Sequence, residues 1–194
     1  VASSDVYKKI DSLIEEVIQE LDNNTPTLWK IKKMEEINMY VKDFMIGSAA
    51  EAIQTMNKKY GGPFGAAVVK NGKVISICSN TVLKDHDPTA HAEVNAIRKA
   101  CQILNTHDLT GCELYATGAP CPMCLSAIIW ANIKTVYYSG KYEDCKQIGF
   151  RDDHIFKFIQ DGAKDENLVK LELHDNDIAK SMYNMYHTMS GTIY

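Results

Sequence analysis

The sequence predicts an α/β protein in which a mixed five-stranded sheet carries helices on both faces, preceded by a helical extension. Three observations predict it. Apolar residues recur at three- and four-residue steps in long segments. Short β-branched runs bounded by Gly, Pro and Asn alternate with those segments. That alternation of helices with strands is the pattern of a sheet sandwiched between helices.

The elements follow in chain order. Val6, Ile10, Leu13, Ile14, Val17, Ile18 and Leu21 fall at helical steps, and Asp22 to Pro26 break the pattern. A second helical pattern covers about Lys30 to Lys59, with a kink or split expected near Gly47, and Gly61-Gly62-Pro63 ends it. Two strands, "FGAAVVK" and "KVISICS", flank Asn71-Gly72, the strongest short hairpin signal. A helix is expected from about Pro88-Thr89 to Ile103, capped by Asp87 or Thr89. "CELYATG" reads as a strand. Cys121 to Trp130 reads as a helix with Pro122 in its first turn, where proline is tolerated. "KTVYYSG" and "NLVKLELH" complete the five strands, expected to be parallel because a long helical stretch separates them. A helix over about Asp177 to Met189 finishes the chain. The expected division is a helical extension over residues 1–30 and one domain over 31–194.

Composition narrows the function classes. The chain has 194 residues, of which 45% are hydrophobic and 24% charged, with a formal net charge of −4. An acidic chain is a poor match to a polyphosphate backbone, so nucleic acid is disfavoured as a partner. No stretch approaches the roughly 20 apolar residues of a membrane span. The first residues lack the apolar core of a secretory signal, so a cytoplasmic location is expected. The six cysteines then read better as reduced thiols and metal ligands than as a disulfide framework.

The chemistry concentrates in two short stretches, "HAEVNAIRKA" from residue 91 and "GAPCPMC" from residue 118. A zinc site that performs chemistry keeps three protein ligands and one open position. His91, Cys121 and Cys124 supply that count. Cys121 and Cys124 share one face at a helix N-terminus, where the dipole and free amides favour thiolate. A Cys-x-x-Cys alone is as readily a pair of small buried hydrophobes. His-x-Glu followed by Pro-Cys-x-x-Cys is the zinc deaminase signature.

With "GGPFGAAVVKNG", "DPTAHAEVNAIRKAC", "PCPMCLSAIIWA" and "IGF", the chain resembles the cytidine deaminase-like superfamily, and within it the guanine deaminase branch. The resemblance spans about Gly61 to Phe150. It implies a three-layer α/β/α fold, one Zn2+ per subunit, and a hydrolase acting on the C–N bonds of cyclic amidines. It implies hydrolysis of guanine to xanthine and ammonia, with water activated at zinc and Glu93 moving the protons. It also implies a substrate pocket of Phe64 stacking on the base, Asn80 hydrogen-bonding it, Trp130 walling it and Asp144 meeting guanine's donors. Tyr194, at the C-terminus, would close the site, and the subunits would form a homo-oligomer, a dimer. Ala119 replaces the acidic residue usual before Pro-Cys. Rival readings are a tRNA adenosine deaminase, a cytosine or cytidine deaminase, and a noncatalytic zinc-binding interaction protein.

Overall fold

The computed structural model describes residues 40–193. The predicted helix over Val6 to Leu21, the start of the second helical pattern and Tyr194 lie outside the described residues. The chain divides between Arg151 and Asp152 into two compact units.

Among the described residues, the first helix of the first unit is α1, Lys42–Asn57. It runs through Gly47 without a break. The hairpin of β1, Gly65–Lys70, and β2, Lys73–Ser79, follows. Asn71 and Gly72 both take positive φ, 52° and 67°, which matches the right-handed twist of the strands they join. A short α2, Val82–Asp85, leads into α3, Ala92–Leu104. Then come β3, Cys112–Gly118, and α4, Pro122–Trp130. The unit closes with β4, Thr135–Gly140, and α5, Tyr142–Gln147.

The strand order is β2-β1-β3-β4. β1 pairs antiparallel with both β2 and β3, and β3 pairs parallel with β4. The sheet is therefore mixed, as expected. The period-2 alternation of β1 divides its side chains between two cores. Ala66 and Val68 pack with Ala92, Ala96, Ile97 and Ala100 of α3 and Ile128 of α4. Ala67 and Val69 pack with Met45 of α1 and Tyr115. Helices thus cover both faces, which gives three layers.

The sheet has four strands among the described residues, not five. Residues 167–174, the expected fifth strand, form no ladder. Leu171 and Leu173 there are 67% and 82% exposed. Alternating leucines mark a pleated segment only when a neighbouring strand supplies hydrogen bonds, and sequence does not reveal the neighbour. The parallel pairing expected of this segment with β4 falls with it. The second unit instead holds α6, Asp153–Gln160, and α7, Asn176–Thr188. No described helix is long and apolar enough to cross a membrane.

Candidate active site

Both halves of the signature sit at helix starts. His91 is the N-cap of α3 with extended backbone, and Cys121 is the N-cap of α4. The start of α3 is later than its Pro88-Thr89 expectation because Asp87 folds the chain into a turn first. Its Oδ1 accepts from the Thr89 N–H at 2.8 Å and the Thr89 hydroxyl at 2.7 Å. Pro122 occupies the first helical turn, which needs no N–H. The Cys124 N–H, in that same turn, points to Cys121 Sγ at 3.5 Å.

The packing of α3 against α4, with Val94 clustered on Cys121 and Cys124, brings these helix starts together. His91 Nδ1 lies 3.6 Å from Cys121 Sγ and 3.6 Å from Cys124 Sγ. A tetrahedral zinc with metal–sulfur bonds of about 2.3 Å and metal–nitrogen bonds of about 2.0–2.1 Å sets each nitrogen–sulfur edge at about 3.6 Å. The three donors, within 4.8 Å of one another, thus fit zinc in identity and spacing. Cys124 offers its proton to Cys121. That hydrogen bond, aided by His91, holds the Cys121 thiol well below its usual range, while it and burial hold Cys124 above. A cation at the centre displaces such a proton.

Glu93 lies one residue into α3 and is only 7% exposed. Its carboxyl reaches the Cys124 thiol but does not join the ligand triangle. Burial raises its pKa, with the Cys121 charge adding to the rise and His91 opposing it.

The pocket candidates divide. Asn80, 4% exposed, closes the end of β2. Its Oδ1 accepts from the Gly62 and Val82 N–H groups, each at 3.2 Å, which uses both lone pairs. No buried side-chain nitrogen among the described residues lacks a partner, so the Asn80 amide nitrogen, which has none, keeps accessible surface. Phe64 is half-buried. Its ring stands edge-on to Phe150 at 4.9 Å, and a methyl on Gly118 would lie 3.0 Å from it.

Trp130 and Asp144 are placed elsewhere. Trp130 is the last residue of α4 and 70% exposed, about 9 Å along the helix from Cys124. Asp144 Oδ2 accepts from the Lys141 N–H at 2.8 Å and so caps α5. The structure does not bring either side chain to the ligand cluster within this chain.

Two polar residues not singled out in the sequence shape the site. The Tyr142 hydroxyl donates to the Pro120 carbonyl at 2.9 Å, directly before Cys121. Asn95 reaches three acceptors in two segments beside His91, Ser79 and Thr81 in one and Ala90 in the other. An asparagine one turn inside a helix, where it is a poor helix former, was the available signal for the second. Ala119 is 7% exposed, and its N–H bonds to the Gly140 carbonyl at 2.8 Å. The backbone there joins the ends of β3 and β4 whatever the side chain.

The cytidine and deoxycytidylate deaminase zinc-binding region matches residues 39–140. The chain is 44% identical over 125 residues to the guanine deaminase of Bacillus subtilis, spanning 64% of this chain and 80% of that protein. It is 43% identical over 99 residues to the tRNA-specific adenosine deaminase of Aquifex aeolicus, spanning 51% of this chain and 66% of that protein. Among solved structures, the guanine deaminase from Bacillus subtilis superposes with a TM-score of 0.71 at 38% identity, covering 77% of this chain and 95% of that one. The guanine deaminase from Nitrosomonas europaea superposes with a TM-score of 0.56 at 28% identity, covering 67% of this chain and 75% of that one.

Proposed function

The chain belongs to the cytidine and deoxycytidylate deaminase zinc-binding family, and on that premise we propose that it hydrolyses guanine to xanthine and ammonia. Deaminases of this family are zinc-dependent hydrolases acting on C–N bonds. The free-base assignment is carried by the 44% identity to a guanine deaminase over 80% of that protein's length.

Zinc held by His91, Cys121 and Cys124 would activate water for attack on the ring carbon that bears the amine. The remaining steps fall to the chain's own residues. Glu93, acting as base, takes a proton from the attacking water and passes it to a ring nitrogen. It then takes the second proton, from the hydroxyl now on that carbon, and gives it to the departing amine, so ammonia leaves and the carbonyl remains. Its burial keeps bulk water from competing for that proton. Asn80, with its carbonyl oxygen engaged by two backbone amides, presents only a donor, suited to a ring nitrogen or carbonyl oxygen of the base. Phe64, braced edge-on by Phe150, offers an apolar surface for a flat ring. We assign catalysis to the domain over 31–194 and place the extension over 1–30 outside it.

A second reading is favoured by the 43% identity to a tRNA-specific adenosine deaminase. Against it stands the formal net charge of −4, since RNA binding draws on basic surface. Ammonia release from guanine, guanosine, cytosine, cytidine, adenosine and a stem-loop RNA carrying adenosine in its loop decides. Guanine is expected to lead, with a rate insensitive to added salt. Release from the RNA alone, falling steeply with salt, would overturn the guanine assignment and leave the zinc chemistry standing.

A further inference from the structure

We propose that Asn95 is a positioning residue that holds the metal-binding and base-reading halves of the site in register. The proposal rests on the reading that this site deaminates a base contacted by Asn80. Asn95 sits one turn into α3, and its own N–H bonds to the His91 carbonyl at 2.9 Å. Its side-chain nitrogen, with two N–H groups, donates to the Ser79 carbonyl at 3.0 Å and the Thr81 hydroxyl at 2.9 Å, and shares one of those N–H groups with the Ala90 carbonyl at 3.3 Å. Carbonyls only accept, so the amide nitrogen must face this cluster.

The three acceptors are distributed to a purpose. Ser79 and Thr81 flank Asn80. Ala90 precedes His91. One planar amide therefore ties the base-reading turn to the turn that presents a metal ligand. The Thr81 N–H also reaches the Ala90 carbonyl at 3.0 Å, so the segments stay adjacent without Asn95 while their register loosens. Ser79 is anchored independently from the other side, its hydroxyl 2.6 Å from that of Thr55 on α1. Loss of Asn95 should consequently disturb the site before it disturbs the fold.

The test uses the full chain, zinc-loaded, well below its melting midpoint, with whichever base the wild type turns over. Asn95→Ala is expected to raise KM by about 10- to 100-fold, with a smaller fall in kcat, and to hasten zinc loss to a chelator. Gln102→Ala, on the exposed side of the same helix, should change neither. Asn80→Ala should raise KM without hastening zinc loss. Combining it with Asn95→Ala should add little further to KM, because Asn95 acts on KM through Asn80. Thr81→Val, which removes one of the three acceptors, should shift KM and zinc loss the same way by less, and it serves if Asn95→Ala does not fold. Additive effects on KM, or unchanged KM and zinc release in the Asn95 and Thr81 variants, would overturn the proposal. If no base on the panel is turned over, the functional reading fails, and the zinc-release comparison still decides Asn95.

Discussion

The three ligand residues were legible because their chemistry is local in sequence, and the same local spacing put forward Glu93. His91 and Glu93 are two apart, Cys121 and Cys124 three apart, and helix geometry alone fixes each pair. Their convergence is a tertiary fact, supplied by the packing of α3 against α4, that only the whole signature anticipates. Single residues without such spacing were less legible. Asp144 looks the same in sequence whether it meets a ligand or caps α5, and Asn95 hides inside an amphipathic helix. The residue-scale prediction follows from Glu93 lying beside Cys124 but outside the ligand triangle. Glu93→Gln keeps the shape and removes the proton carrier. Zinc should stay near one per chain by metal analysis while kcat drops by about 10²- to 10⁴-fold. A variant that loses zinc along with activity would make Glu93 a structural support instead.

Among elements, the hairpin was read correctly because Asn-Gly dictates its own backbone, and the structure places both residues at positive φ. The fifth strand failed because pairing depends on a partner the pattern does not name. Helix starts slipped by a few residues where a side chain built a turn first, as Asp87 does before α3. Gly72 is at φ 67°, a conformation that costs a β-branched residue of order 1–3 kcal/mol. Gly72→Val should lower the unfolding free energy by about that amount in a denaturant titration. It should leave zinc content alone, because the turn lies at the end of β1 opposite Gly65, where Asn80 and Phe64 meet. An unchanged midpoint would mean that the hairpin tolerates another turn type.

At the scale of the whole molecule, the chain from Asp152 onward poses a problem that sequence patterns concealed. None of its described side chains is buried. Leu173, Met182, Met185 and Met189 are all at least 59% exposed. A segment this short cannot offset its conformational entropy without burying such groups. The homo-oligomer expected from the resemblance would supply a second copy as a covering surface. Sedimentation at micromolar concentration should show a species of at least two chains. Leu173→Asp with Met182→Asp should shift it toward single chains, because a carboxylate in an apolar contact is costly. A wild-type chain that sediments as a single species of one chain across that range would refute the oligomer. The apolar surface after Asp152 would then need a different partner or a different arrangement of the same chain.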